Sequence, residues 1–205
     1  MADEPPPPPR AAISHVIFDM DGLLLDTEGF YTAVQEKILA RYGKAFDWSL
    51  KAKTMGKTTA ESTRILFDEC GLAGLLTPEE FLHDREAMLK ELLPTCAAMP
   101  GVQRLIHHLH QNGIPIAVAT VKTQHHQEMF SLMHHVVTGD DPEVKAGKPS
   151  PDIFLAAMRR FEHDLEPSNC LVFEDAPLGV AAAKTAGVCG DGPRSKAGCF
   201  ISQRS

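Results

Sequence analysis

Asp19-Met20-Asp21-Gly22 closes an apolar run, Ile13 to Phe18, and this junction constrains the fold more than any other stretch. Alternate residues of an extended segment point the same way. Asp19 and Asp21 therefore project together while Met20 turns into the core. Two carboxylates at the mouth of a buried strand repel each other unless a cation or a proton lies between them. Gly22 lets the chain turn sharply away from the strand end. A buried strand that delivers paired carboxylates at its carboxyl end belongs in a sheet covered by helices, where ligands bind outside those ends. The chemistry such a pair supports is phosphoryl transfer: one carboxylate attacks, one moves a proton, and a hard cation neutralises both.

The rest of the chain agrees with an α/β arrangement. After the junction, Thr27 or Glu28 opens a helix with Phe30, Tyr31, Val34, Ile38, Leu39 and Tyr42 on one side, stopped by Gly43. Residues 57–70 and 77–93 read as further helices. The second starts at Thr77-Pro78-Glu79-Glu80, with Thr as N-cap, Pro in the first turn and Glu three residues after the cap. No strand pattern occurs between residues 30 and 95, so this segment is expected to be an all-helical insert. Beyond Met99-Pro100-Gly101 the alternation resumes. We expect a helix over 102–111, a strand over 114–119 ending at Thr120, a helix near 123–133 and a short strand at 136–137. A helix over 151–161, a strand over 170–173 and a helix over 176–186, closed by Gly187, complete the pattern. Strands spaced by helices imply parallel pairing with right-handed crossovers. Asp19, Thr120, Asp140 and Glu174-Asp175 all fall at or just past strand ends. Lys148, in Gly147-Lys148-Pro149, stands just before a helix, and its ammonium would relieve repulsion among the carboxylates.

Composition narrows the class of partner. The 205 residues are 43% hydrophobic and 23% charged, enough for one ordinary domain with a modest insertion. The formal net charge of −7, with no Lys/Arg-rich block, argues against nucleic acid as a partner. No run of about 18 apolar residues points to a membrane span. Five cysteines without a C-x-x-C pair suit a reduced, cytoplasmic protein better than a disulfide frame or a metal site. The paired histidines at 107-108, 125-126 and 134-135 lack carboxylate or Cys partners at metal spacing and read as structural. Residues 1–12, with Pro5 to Pro9 in one run, read as a disordered Pro-rich tail.

Four stretches together carry a family resemblance: V-I-F-D-M-D-G-L-L-L-D-T-E, I-P-I-A-V-A-T, G-K-P-S-P-D-I-F-L and L-V-F-E-D-A-P-L-G-V-A-A-A-K-T-A-G. In this order they resemble the haloacid dehalogenase-like (HAD) phosphohydrolases, over residues 13–187. The resemblance implies a Rossmann-like parallel-sheet core, 13–29 and 97–187, with a helical cap inserted at 30–96. It implies Asp19 as nucleophile and Asp21 as general acid, then base. Thr120 and Lys148 would bind the phosphoryl group. Mg²⁺ would be held by Asp19, Asp175 and the Asp21 carbonyl. Glu174 would either orient a metal-bound water or pair with a neighbouring group. The implied substrate is a small phosphorylated metabolite, pseudouridine 5′-phosphate foremost, handled by a monomer.

Some features depart from that pattern or leave it open. In the cap, Gly56, Lys57 and Thr58 read equally as a plain loop and as a substrate-selecting one. Related phosphomutases carry a phosphate-binding arginine in this region. Here Lys57 and threonines stand instead, and Arg64 is the nearest arginine, which favours hydrolysis over a sugar phosphomutase. After Thr120 the chain is expected to enter a helix almost at once, where relatives have a longer loop of small residues. Residues 188–205 read as an atypical tail without the family's next apolar strand, leaving the strand at 170–173 as a bare edge. Both departures raise a third reading, a catalytically impaired isoform or binding protein.

Overall fold

A computed structural model describes residues 13–55, 57–120, 128–161, 165–188 and 199–201. The expectations for the N-terminal Pro run, for Gly56 and for the segment directly after Thr120 lie outside these residues. Five parallel strands form one sheet: β1 (His15–Phe18), β2 (Ile116–Thr120), β3 (His135–Thr138), β4 (Cys170–Glu174) and β5 (Cys199–Ile201). Their order is β3-β2-β1-β4-β5. The first strand is therefore central, and the chain fills one side of it before crossing to the other. This reversal makes a crevice at the carboxyl end of β1.

Burial explains why these short runs are strands. All four residues of β1 and all five of β2 are buried, as in a sheet covered on both faces. Val16 and Phe18 join an apolar cluster with Met20, Ile106 and Val118 on one face. Ile17, between them, joins the opposite cluster with Ala117, Val172, Phe154 and Ala183. The helices α5 (Val102–Gln111), α6 (Asp152–Phe161) and α7 (Pro177–Thr185) supply the covering layers.

Four helices lie between β1 and α5: α1 (Glu28–Ala40), α2 (Trp48–Thr54), α3 (Thr59–Cys70) and α4 (Pro78–Leu92). They contain no strand among the described residues, as expected, and they bury a third cluster drawn wholly from residues 30–93. The start of α4 is the anticipated capping box: Glu80 N–H donates to Thr77 Oγ1 at 3.2 Å, and Thr77 N–H donates to Glu80 Oε2 at 2.9 Å. Thr58 and Glu61 repeat the device at α3.

The structure corrects the expected tail. Cys199-Phe200-Ile201 adds a fifth strand, with Val172 opposite Cys199 and Glu174 opposite Ile201. The edge of β4 is thus paired, not bare. Three apolar residues suffice to continue a ladder that β4 already presents, whereas so short a run carries no periodicity of its own. The helix expected near 123–133 is also not continuous where described: residues Glu128–Leu132 form a 3₁₀ segment.

Candidate active site

The turn after β1 places both aspartates. Met20 is 1% exposed, and its carbonyl accepts from the N–H groups of Leu23, Leu24 and Leu25, so the chain coils back beneath the strand end. Asp19 and Asp21 then face one cavity of about 510 Å³. Gly22, at φ 77°, completes the turn. A Cβ there would stand 2.5 Å from Asp175 Oδ2, so only glycine lets Asp175 close over this loop.

Lys148 enters the same floor from the segment before α6. Its side chain is 8% exposed. The ammonium donates to Asp19 Oδ1 and, at 2.7 Å, to Glu174 Oε1, with the Ala119 carbonyl at 3.4 Å. Glu174 is 1% exposed, and its other oxygen accepts the Ala176 N–H at 2.9 Å, just ahead of α7. Gly179, in the first turns of α7, lies directly beneath Glu174: a Cβ there would overlap Oε1 and Cδ and sit 2.7 Å from Cγ.

Charge dominates this floor. Burial pushes the Asp19 carboxyl up, against the pull of Lys148, and Glu174 and Asp21 push it further. Burial and the neighbouring Glu174 raise Asp175 to about 6. Lys148 is held above the usual range: burial opposes its charge, but Asp19 and Glu174 outweigh that. Several carboxylates thus share one buried ammonium, an excess of negative charge that calls for a further cation. Asp19, Glu174 and Asp175 each offer an oxygen within 4.8 Å of the others. An all-oxygen set of this kind fits a hard divalent ion.

The other walls come from the helical segment. Tyr31, Thr32 and Gln35 of α1, Lys51 and Thr54 of α2, Lys57, Thr58 and Thr59 at the start of α3, and Arg85 of α4 line the cavity. Lys57 and Thr58 thus line the same cavity as Asp19 and Asp21. Thr120 is buried at the end of β2 but is not among the cavity's walls. Asp140 is held by Thr138 and also lies outside the walls. Sequence reasoning missed Arg85. Arg64, the arginine nearest in sequence to the cap loop, instead pairs with Asp68 at 3.7 Å on an exposed helix face. The guanidinium of Arg85 lies 5.5 Å from the Tyr31 ring centre, inside the cavity wall. No local signal marks it, because its position depends on how α4 packs on α1. Gly179 did carry a signal: an isolated glycine within an alanine-rich helix often marks a close approach.

A strand-centred acidic pair, a buried lysine and a third carboxylate after β4 are an arrangement capable of phosphoryl-transfer chemistry. The model of the haloacid dehalogenase-like hydrolases matches residues 13–187, and the chain belongs to that family. A protein of Arabidopsis thaliana named (DL)-glycerol-3-phosphatase 1, mitochondrial, is 62% identical over 188 residues, covering 87% of this chain and 63% of its own length. The chain thus spans less than two thirds of that relative. A Drosophila melanogaster protein named "Probable pseudouridine-5′-phosphatase" is 44% identical over 185 residues, covering 86% of this chain and 79% of its own. Among solved structures, CbbY from Rhodobacter sphaeroides in complex with phosphate is 25% identical with a TM-score of 0.67, over 94% of this chain and 87% of the other. The Arabidopsis and Drosophila relatives are both named as phosphatases. Among the described residues, no helix is long and apolar enough to cross a membrane.

Proposed function

We propose that this protein is a Mg²⁺-dependent phosphatase that hydrolyses a small phosphomonoester through an aspartyl-phosphate on Asp19. The observation that carries this reading is the buried Lys148 ammonium bridging Asp19 and Glu174, in a cavity that also holds Asp21 and Asp175. An oxygen of Asp19 attacks phosphorus as the ester P–O bond breaks, and Asp21 gives its proton to the leaving alkoxide. Asp21 then takes a proton from water, whose oxygen attacks phosphorus. The acyl-phosphate bond breaks, phosphate leaves and Asp19 is restored. Lys148 offsets charge on the phosphoryl oxygens. Thr120, one residue past the Ala119 carbonyl that faces Lys148, is the proposed second phosphoryl contact. A Mg²⁺ held by Asp19, Asp175 and the Asp21 carbonyl, with Glu174 beside it, would supply the charge that shields nucleophile from phosphate. The division of the chain into a catalytic core and a helical cap bearing Lys57, Thr58 and Arg85 is part of the same proposal, with the cytoplasm as its setting.

Glycerol 3-phosphate is the first substrate we propose, supported by the 62% identical relative. Pseudouridine 5′-phosphate is the second reading. The Drosophila relative supports it, and a cavity of about 510 Å³ has room beyond a three-carbon phosphate. Arg85 in the wall keeps a sugar phosphomutase in contention. The test is release of inorganic phosphate from glycerol 3-phosphate, pseudouridine 5′-phosphate and glucose 1-phosphate, with Mg²⁺ and with EDTA. Mg²⁺-dependent release from either of the first two supports the reading. Isomerisation of the sugar phosphate without release, or release that survives EDTA, overturns it.

A further inference from the structure

Residues 139–151 carry Lys148 into the buried floor yet contain neither helix nor strand. A lysine on a flexible four-carbon stem reaches one place reproducibly only if its backbone starts from one place. Asp152, the first residue of α6, supplies that fixed start. Its Oδ2 accepts the N–H groups of Lys145 at 2.9 Å and Ala146 at 3.0 Å, and its Oδ1 accepts the Ser150 hydroxyl at 2.8 Å. These three donors flank Lys148 on both sides in the chain. The carboxylate is well anchored in turn. The next two residues, Ile153 and Phe154, are buried in the cluster beneath β1 and β2, and the Lys148 ammonium lies 5.1 Å from the Phe154 ring centre. The far end of the segment is clamped separately, by Arg160 on Asp141 at 2.7 Å and on Glu143 at 2.9 Å.

We propose that Asp152 is a positioning residue: it gathers the 145–150 turn so that Lys148 arrives between Asp19 and Glu174, where the phosphoryl group binds. This rests on the reading of Lys148 given above. Asp152 is not itself in the cavity wall, so its effect passes through the turn that carries Gly147 and Lys148 there. An asparagine at 152 keeps the shape but can accept at only one of its two terminal atoms, so it would hold part of the turn.

The test uses the full chain with Mg²⁺, inorganic phosphate as the titrated ligand, and kcat/KM on the best phosphomonoester. Asp152→Ala should weaken both phosphate affinity and kcat/KM about ten- to hundredfold, the scale expected when a catalytic group is misplaced by roughly 1 Å. Asp152→Asn, which is expected to fold as wild type does, should fall between. In a Lys148→Met background, Asp152→Ala should change phosphate affinity by less than about twofold, because two residues acting through one contact are not additive. A purely structural role would lower the melting temperature in both backgrounds without this non-additivity in phosphate affinity. Unchanged phosphate affinity in Asp152→Ala, beside a clear loss in Lys148→Met, would overturn the inference and leave the role of Lys148 standing. Equal, multiplying losses would overturn it as well. Unchanged affinity in Lys148→Met would instead overturn the reading of Lys148, and this inference with it.

Discussion

Replacing Gly179 by alanine reverses the sign that helix propensity alone predicts. In an ordinary helix, Gly→Ala stabilises by roughly 1 kcal/mol. Here the added Cβ would overlap the Glu174 carboxyl group, and Glu174 has no free space, being 1% exposed. The side chain must swing away and give up the Lys148 ammonium at 2.7 Å and the Ala176 N–H at 2.9 Å. Hydrogen bonds to charged groups are worth about 1.5–3 kcal/mol each, so two lost bonds set against the helix gain leave a net loss of about 2–5 kcal/mol. For a chain of this length that lowers the melting temperature by roughly 4–20 °C. Urea unfolding of Gly179→Ala, Glu174→Ala and the double variant tests the account. Without the Glu174 carboxylate the overlap is gone, so Gly179→Ala should stabilise the Glu174→Ala protein by about 1 kcal/mol. A stabilised single variant, or the same loss in both backgrounds, would refute the reasoning.

Asp19→Asn should abolish turnover while keeping the melting temperature within a few degrees, since an amide cannot form the acyl-phosphate and burial already disfavours the ionised carboxylate; normal turnover would sink the proposed nucleophile. His135 reports on pH. Burial lowers its folded pKa to about 4, so between pH 6.5 and 4 the unfolded imidazole is protonated while the folded one is not. Stability is complete above pH 6.5 and falls with pH through that window, by about 1–2 kcal/mol for a ring that is only half-buried. The stability of wild type relative to His135→Gln in denaturant titrations should therefore rise by that amount between pH 4 and 6.5 and stay level outside this window. Deleting residues 189–205 removes β5 and bares the edge of β4 next to Asp175. Melting curves should shift down and the Mg²⁺ requirement should rise; unchanged values would show that β5 contributes nothing.

Strands β1 and β2 were legible because every residue in them is buried and a polar residue marks each end, Asp19 just past β1 and Thr120 closing β2. Asp19, Asp21 and Asp175 stood out because a carboxylate abutting an apolar run is unusual, and Lys148 because it follows a glycine just ahead of a helix. Thr77 and Glu80 announced a helix start through local hydrogen bonds alone. Helix α2 was not anticipated, because seven residues give under two turns of periodicity, and Asp47 caps it through a single bond to the Leu50 N–H. Strand β5 escaped for a related reason, since its pairing is decided by β4 and not by its own three residues. The contrast between Arg64 and Arg85 is the clearest lesson. Distance along the chain selected the former, while the packing of α4 on α1 brings the latter to the cavity.

The central place of β1 has a consequence for synthesis. Phe18 pairs with Val118 on one side and Phe173 on the other, so the strand that carries Asp19 emerges from the ribosome long before either neighbour exists. At about 5–20 residues per second, β2 follows β1 by roughly 5–20 s and β4 comes later still. Helices α1–α4 bury their own cluster and can condense during that interval, while Val16, Ile17 and Phe18 wait without a partner. A nascent chain halted between α4 and β2 would therefore display a sticky hydrophobic strand beside helices that bury a cluster of their own. The cavity that gathers Asp19, Lys148 and Asp175 is complete only after β4 has emerged, so it is among the last parts of the molecule to come into being.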